Sequence, residues 1–377
     1  MDYASTTPVL PEVVSAMEVY WNTDFFNASG LYRDAVSVAS VLSDARKTIA
    51  SAIGGQARDI IYTASGTEAN NLALLGLRNS DGRFDGVHII TSVFEHPSIG
   101  ETCAYVESLG GEVTYVSVDA EGIVQTRELL DALRPTTRLV SVMMVNNEIG
   151  TIQPIRVLVR MVRKAEKEFG TRIYIHTDAS QALNYLPVSV QSLGVDMMTL
   201  DASKIYGPKG IGLLYKKDDV PLKPLVFGGG QEQGVRSATE ATPLIVGFAQ
   251  AVSMAVADRE TETPRLEKLR DDAISRILSA FPAAELNGSP DMRIANNINI
   301  CFPGLDAEYA VIRLDYGGIQ CSFASSCSSL VDDTHSVSIK ALGKTDCASS
   351  SLRFTLGRHT QKGDIDVLLK QLHKIVL

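Results

Sequence analysis

The stretch IIYTASGTEANNLALLGL, residues 60–77, joins a short apolar run to a helical pattern through a Ser-Gly-Thr turn. The first four residues are typical of a buried strand, and alanines and leucines then recur at helical spacing. The start of a helix favours an anion such as phosphate, because its N–H groups are unpaired and the dipole is positive there. An ordinary helix cap with Thr67 and Glu68 in the first turn is the alternative interpretation.

The same alternation of strand and helix patterns continues on the C-terminal side of this stretch. The further apolar runs are VHIITS, EVTYVSV, LVSVMMV, RIYIHTDAS, MMTLDAS and IGLLYKK. Continuous β-branched runs separated by helices predict an α/β fold with a mostly parallel sheet that is covered on both faces. In such sheets ligands bind beyond the carboxyl ends of the strands, and the chemically interesting residues of this chain follow the apolar runs.

The pattern changes near residue 241, where a long helical segment begins and is predicted to continue past Pro264. After it come a short apolar run, a helix, a Cys/Ser-rich stretch, the run SLRFTLGR and a closing helix. This order predicts a smaller α+β domain attached by the long helix. We expect a large domain over 12–250 and a small domain formed by 1–11 and 251–377.

Composition and charge exclude several classes of function. The formal net charge of −9 and the lack of a Lys/Arg block argue against direct nucleic-acid binding. No apolar run reaches the roughly 20 residues that a membrane helix needs. The N-terminus has no basic region followed by an apolar stretch, so we expect no signal peptide, no membrane partner and a cytoplasmic location.

The five cysteines are odd in number and show no CxxC pairing. This argues against a disulfide framework and a zinc site, so we expect free thiols and no metal. Cys327, in FASSCSS, lies among small hydroxyl residues that leave room for a reactive thiolate. The alternative is a small buried cysteine, which suits Cys103, Cys301 and Cys347 better.

Two charged residues follow neighbouring apolar runs and suggest a cofactor. Asp178 ends the run in RIYIHTDAS, and Lys204 follows MMTLDAS within a collar of glycine and proline. A carboxylate and a fixed lysine on one rim of a sheet, beside a phosphate cradle, suit pyridoxal 5'-phosphate (PLP). Taken singly, each has a simpler interpretation: Asp178 as a helix cap, and Lys204 and Lys209 as solvated loop lysines.

Three further residues are candidates on similar grounds. His96, in EHPSI, could stack on a cofactor ring or move protons. Asn147, in NNEIG, could direct its amide at a ring substituent or a substrate. Arg353, in SLRFTLGR, could bind a carboxylate with two hydrogen bonds. A structural histidine and a surface ion pair are the alternatives for His96 and Arg353.

Nine motifs taken together resemble the PLP-dependent cysteine desulfurases of the NifS/IscS-like group. They run from DYASTTP through SGTEANN, EHPSI, VNNEIGTIQP, HTDASQ, KIYGPKGIG and GGGQEQGVRSAT to SSCSS and LRFTLGR. The resemblance implies a fold-type I homodimer whose large domain has a seven-stranded sheet. It also implies that L-cysteine is converted to L-alanine and that a persulfide forms on a cysteine of the enzyme.

The resemblance assigns the residues around the cofactor ring. Lys204 matches the Schiff-base lysine, which leaves Lys209 as a neighbour. Asp178 matches the partner of the pyridine nitrogen. Gln181 and Asn147 match positions near the ring hydroxyl, and His96 matches the ring-stacking histidine, which can also move protons.

The phosphate and substrate positions follow from the same motifs. Gly66, Thr67 and Ser203 match phosphate contacts, and Thr239 matches a contact from the other subunit. For the substrate, Arg353 and Asn27 match the residues that bind the carboxylate, while Cys327 matches the sulfur acceptor.

The chain departs from the family pattern at several positions. Asp201-Ala202-Ser203 replaces Ser-Gly-His before the lysine, so a carboxylate lies where a phosphate-binding serine is expected. We expect partial repulsion of the phosphate; the alternative is that Asp201 caps the following turn. FFNASGLY lacks the usual proline after Asn27, and a Phe-Ala pair replaces Ser-Gly before the cysteine segment. Because few residues follow the last predicted helix, we expect this chain to lack the longer tail with which some family members dock an iron–sulfur scaffold.

The sequence is also compatible with two other functions. One is another class V PLP enzyme, an aminotransferase or a lyase, for which Cys327 would be incidental. The second is a weakly catalytic sulfur-transfer scaffold, which Asp201 and Ser203 motivate. A sulfur-acceptor protein is expected as a partner for the desulfurase, but the sequence does not identify it.

Overall fold

The computed structural model describes residues 1–323 and 335–376 and contains two β-sheets with helices packed around them. Cys327 lies outside the described residues. The large sheet has seven strands and the small one has three. The α/β fold class that the sequence predicts is therefore confirmed.

The seven strands of the large sheet come from the first 216 residues. They are β1 (Ile60–Thr63), β2 (His88–Ser92), β3 (Glu112–Val116), β4 (Thr137–Ser141), β5 (Tyr174–Asp178), β6 (Met197–Asp201) and β7 (Gly212–Lys216). Their order across the sheet is β1-β7-β6-β5-β4-β2-β3. β7 is antiparallel to both neighbours, and the other pairs are parallel. The parallel strands place their carboxyl ends on one edge of the sheet.

Helices follow most of the strands and cover the sheet. In the described residues they are α1 (Pro11–Asn22), α2 (Arg33–Ala52), α3 (Gly66–Leu75), α4 (Pro97–Ser108), α5 (Thr126–Ala132), α6 (Ile155–Phe169), α7 (Val190–Leu193), α8 (Thr242–Ala280), α9 (Ala307–Tyr316), α10 (Val337–Ala341) and α11 (Lys362–Val376). The long helix α8 has 39 residues and includes Pro264, as the sequence predicts.

Successive residues of the strands β1 and β7 belong to different hydrophobic clusters. Ile60 lies in one cluster and Ile61 in the other, and the same holds for the pair Leu213 and Leu214. Side chains alternate between the two faces of a strand, so each strand contributes to a core above and below the sheet. This double burial explains why the strands read as continuous apolar runs.

The small sheet is antiparallel, with the order β10 (Ser351–Thr355), β9 (Asn297–Cys301) and β8 (Glu285–Leu286). Asp2 forms a bridge with Thr355, so the N-terminus lies beside this sheet. The contact agrees with grouping residues 1–11 with the C-terminal region. The residue bounds of the two domains remain a prediction.

One expectation about the cysteines is wrong. Cys301 and Cys347 form a disulfide, with their Cα atoms 5.4 Å apart. They are 46 residues apart in sequence, so a local motif such as CxxC does not predict the bond. Cys301 ends β9 opposite Ser351 of β10, and Cys347 lies in the short turn just before β10. Cys103 and Cys321 are free and buried.

Among the described residues no helix is long and apolar enough to cross a membrane.

Candidate active site

A cavity of about 180 Å³ lies at the edge of the large sheet where β5 and β6 end. Its wall includes eight residues that the sequence analysis selects: Gly66, Thr67, His96, Asn147, Asp178, Gln181, Lys204 and Arg353. They come from segments between residues 66 and 353, and the chain returns repeatedly to the carboxyl ends of the strands. The geometry thus brings most of the predicted site together.

Lys204 ends a short 3-10 turn, Ala202–Lys204, directly after β6. Its Nζ donates hydrogen bonds to the carbonyls of Ala4 at 3.1 Å and Ser5 at 2.5 Å. Gln181 also donates to the Ala4 carbonyl, at 3.0 Å. Lys209, by contrast, donates to the carbonyl of Thr7 and does not line the cavity. The N-terminal segment therefore positions the amine of Lys204 at the cavity wall.

Asp178, the last residue of β5, is fixed by a buried amide. Asn70 on α3 donates to Asp178 Oδ2 at 2.7 Å and to Ser98 Oγ at 2.8 Å. Asp178 Oδ1 accepts the N–H of Ser180 at 2.9 Å. Both carboxylate oxygens of Asp178 thus accept a hydrogen bond from the protein. These bonds fix the orientation of the carboxylate at the cavity.

His96 caps the N-terminus of α4 and belongs to the same network. Its Nδ1 accepts the N–H of Ser98 at 3.1 Å and lies 2.8 Å from Ser98 Oγ. Burial lowers the pKa of His96, and the nearby Asp178 opposes that shift. An imidazole whose Nδ1 accepts a backbone hydrogen carries its proton on Nε2 when it is neutral. His96 can therefore donate or exchange a proton through Nε2.

Arg353 on β10 is almost fully buried, with 2% of its side chain exposed. Its guanidinium donates to the Asn147 carbonyl and to Asp2 Oδ1, both at 2.9 Å. It also donates to Ser5 Oγ at 2.8 Å and to Ser322 Oγ at 3.0 Å. The alternative interpretation of Arg353 as part of a surface ion pair is thus excluded, because the arginine is buried and lines the cavity.

Asp201, the last residue of β6, lies at the N-terminus of α3. Its Oδ2 accepts the N–H of Gly66 at 3.0 Å. Its Oδ1 accepts hydrogen bonds from the N–H of Ser203 at 2.8 Å and from the hydroxyl of Ser203 at 2.6 Å. Of the two arrangements that the sequence leaves open, capping of the following turn is the one present, and the side chain also reaches the helix start.

Three predicted residues do not line the cavity in the single chain. Ser203 directs its hydroxyl at Asp201, while Asn27 and Thr239 are exposed. The Oδ1 of Asn27 accepts the N–H of Ser29 at 2.9 Å. For Cys327 the position is not described. The roles predicted for these four residues remain predictions.

Sequence reasoning missed several residues that build the site. Asn70 and Ser98 link Asp178 to His96. Asn70 lies in the motif SGTEANN and Ser98 in the motif EHPSI, but neither residue is among the predicted site residues. Glu95, beside His96, is partly buried; burial raises its pKa to about 8, and Asp178 adds to this shift. Glu95 accepts the N–H of Met143, so it ties the end of β2 to the segment after β4. The sequence signal that could have identified these residues is a polar side chain within a motif that is otherwise apolar and has a glycine at its end.

Glu148 is a buried carboxylate that connects the NNEIG turn to the C-terminal region. It accepts hydrogen bonds from Ser336 Oγ at 2.5 Å and from Ser338 Oγ at 3.0 Å. Its own carbonyl accepts from the amides of Asn297 and Asn299. The turn that holds Asn147 is thereby linked to the chain that follows residues 324–334.

Comparison with known proteins identifies the family. Residues 1–368 match the aminotransferase class-V family. A protein named cysteine desulfurase IscS from Dictyoglomus turgidum is 40% identical over 377 residues, which are 100% of this chain and 94% of that protein. This chain belongs to the cysteine desulfurase family.

Two solved structures agree with this assignment. A NifS-like protein superposes with a TM-score of 0.92 at 30% identity, covering 100% of this chain and 98% of that one. A structure of SspA in complex with cysteine gives a TM-score of 0.81 at 32% identity over 94% and 97% of the two chains. The resemblance, the predicted fold type and the expected dependence on PLP are confirmed.

The residues around the cavity fit PLP at its ring end. A primary amine can bind the aldehyde, a fixed carboxylate can pair with the ring nitrogen, and an imidazole lies on the same wall. At the phosphate end the N-terminus of α3 offers N–H groups, but Asp201 accepts a hydrogen bond from one of them.

Among the described residues no group of three His, Cys, Asp or Glu side chains could bind a metal ion.

Proposed function

We propose that this protein is a PLP-dependent cysteine desulfurase that leaves a persulfide on Cys327 for transfer to an acceptor. The observation that carries the proposal is that Lys204, Asp178 and Arg353 line the same cavity. An amine, a carboxylate and a guanidinium around one cavity suit a carbonyl cofactor and an amino-acid substrate. Relatives named cysteine desulfurase, and a neighbour solved with cysteine, support this choice of substrate.

PLP, when bound, supplies an electron sink for the bonds at the substrate Cα. Asp178, which Asn70 and Ser180 hold in place, would keep the ring nitrogen protonated. Lys204 would hold the cofactor and, once the substrate has replaced it, would move a proton at Cα. His96 would stack on the ring and exchange a proton through Nε2.

Arg353 would bind the carboxylate of L-cysteine. A planar guanidinium binds a carboxylate with two parallel hydrogen bonds, and burial strengthens such a pair. In the described structure Asp2 shares this guanidinium, with 2.9 Å between Arg353 Nη2 and Asp2 Oδ1. The substrate carboxylate therefore has to share Arg353 with Asp2 or replace it, and Asn27 would assist the substrate.

Cys327 would then take the sulfur. Its thiolate attacks the substrate sulfur, the carbon–sulfur bond breaks, and the amino-acid product becomes L-alanine after protonation. The resulting persulfide is a reversible form of cysteine that another thiol can collect. We propose a protein thiol as the acceptor, in iron–sulfur cluster assembly or a thiolation pathway.

The test uses the two lysines as a matched pair. Borohydride reduction of the PLP-loaded protein should fix the pyridoxyl group on the peptide that contains Lys204. Lys204→Ala should abolish formation of alanine and persulfide from L-cysteine, whereas Lys209→Ala should retain both. Labelling of Lys209, or activity in Lys204→Ala, would contradict the proposal.

The functional unit is proposed to be a homodimer. Large apolar side chains are exposed in the single chain, and they include Trp21, Phe25, Leu31, Tyr32 and Phe227. Exposed apolar groups of this size favour an interface, and Thr239 would reach the site of the second copy. Mixing Lys204→Ala with Thr239→Ala chains should restore one intact site with parental PLP affinity. If the mixture binds no better than the separate variants, Thr239 does not act across the interface.

A cytoplasmic location completes the proposal. The reaction needs Cys327 as a thiolate in every cycle, and a reducing compartment maintains free thiols. The Cys301–Cys347 disulfide is the opposing observation. Alkylation of free thiols in intact cells, followed by cell fractionation and mass spectrometry of this protein, tests both points together.

A further inference from the structure

Asp201 occupies a position that suits an external anion. Its carboxylate accepts the N–H of Gly66, the first residue of the 10-residue helix α3, where the helix dipole is positive. It also accepts two hydrogen bonds from Ser203. Gly66 and Ser203 are two of the three residues on the same chain that the family resemblance assigns to the cofactor phosphate.

The contact between Asp201 and the helix start is close. A Cβ atom added at Gly66 would lie 3.1 Å from Asp201 Oδ2 and 3.2 Å from Asp201 Cβ. Asp201 also lines the cavity beside Gly66 and Thr67. While the side chain keeps this rotamer, the Gly66 N–H already has Asp201 as its acceptor, and a phosphate would have to take the place of that carboxylate.

We infer that Asp201 is an internal occupant of the phosphate position, which the cofactor phosphate must displace to bind. This inference rests on the proposed function and concerns how firmly that site retains its cofactor. Competition differs from simple repulsion in one respect. A repelling carboxylate only weakens phosphate binding, whereas an occupant also satisfies the donors of the cofactor-free protein.

Asp201→Ser provides the main test, with Asp201→Asn as a second variant of similar size. PLP should bind Asp201→Ser about tenfold more tightly than the parent protein, a change that corresponds to about 1.4 kcal/mol. Pyridoxal, which lacks the phosphate, should bind the two proteins equally. Absorbance titration of the cofactor-free proteins measures both affinities without an activity assay.

Cofactor-free protein gives a separate readout. Without the carboxylate, the Gly66 and Ser203 donors lose their acceptor, so the thermal midpoint of Asp201→Ser should fall. Inorganic phosphate should restore that midpoint more strongly than it shifts the parent protein. Asp306→Ser is the control, because Asp306 accepts the Tyr309 N–H at the start of α9, away from the cavity. Because serine caps a helix start about as well as aspartate, this variant should keep nearly the parental midpoint and show no added response to phosphate.

The outcomes separate this inference from the proposed function. Equal PLP affinity in the parent protein and both variants, or an equal gain for pyridoxal, would overturn the occupant role. A stable cofactor-free Asp201→Ser with no added response to phosphate would overturn it as well. If no variant binds PLP, the proposed function fails, and the phosphate measurement still decides the role of Asp201.

Discussion

Replacing Asn70 by alanine removes the link between Asp178 and His96 without touching either residue. Asn70 is 1% exposed and donates at 2.7 Å to the Asp178 carboxylate and at 2.8 Å to Ser98 Oγ. A hydrogen bond to a charged group contributes about 1.5–3 kcal/mol and a neutral one about 0.5–1.5 kcal/mol. We therefore expect Asn70→Ala to lower the free energy of unfolding by about 3 kcal/mol.

The neighbouring residue Asn71 gives a matched control. Its amide donates at 2.9 Å to the Thr67 carbonyl and at 3.3 Å to the Ser98 carbonyl, both neutral acceptors at a more exposed position. Asn71→Ala should cost about 1 kcal/mol or less by the same reasoning. Urea unfolding of the cofactor-free proteins measures both changes. PLP titration should show weaker binding only for Asn70→Ala, because only that variant leaves Asp178 less firmly oriented. Equal losses of stability and unchanged PLP affinity would refute the argument.

Four further predictions follow from the sequence and the described contacts. Cys327→Ser should keep the visible absorbance of bound PLP but carry no protein-bound sulfur; turnover at the parental rate would exclude the thiol from the reaction. Glu148→Gln should slow persulfide formation while PLP affinity stays parental, because it weakens the link to the chain after residue 334; a parallel loss of both would indicate general misfolding. Glu95 is protonated more readily when folded, with a pKa of about 8 against an ordinary 4.5, so its contribution to stability should decline as pH rises from 4.5 to 8. Urea midpoints of Glu95→Gln should lack that part of the decline, and an unchanged pH profile would contradict it. Alkylation of the unfolded, unreduced protein should leave Cys301 and Cys347 unmodified, and their labelling would disprove the disulfide.

The fold could be predicted because its information is local. A strand that is buried on both faces needs a continuous apolar run, so Ile60 and Ile61 are both apolar although they face different cores. Helix spacing between those runs then implies crossovers and a parallel sheet. Residues at strand ends, such as Asp178 and Lys204, could be placed on one rim by the same argument.

The contacts that orient these residues could not be predicted in this way. Asn70 and Asp178 are 108 residues apart, and Lys204 and Ala4 are 200 apart. Neither pair carries a spacing signal, because the sheet order and the return of the N-terminus decide both. The disulfide could not be predicted for the same reason, since its two cysteines meet only when β9 lies beside β10 and the turn that precedes it.

Asp201 shows how a departure from a family pattern gains meaning only from geometry. The sequence places a carboxylate near a phosphate position, and Coulomb's law alone then suggests repulsion. The structure adds that this carboxylate accepts hydrogen bonds from the groups that would bind the phosphate. Asp201 therefore acts in opposite ways on the two forms of the protein: it stabilises the cofactor-free form and disfavours the form that holds PLP. A serine at this position would reverse both effects, so stability without cofactor and affinity for PLP should change in opposite directions at this one residue.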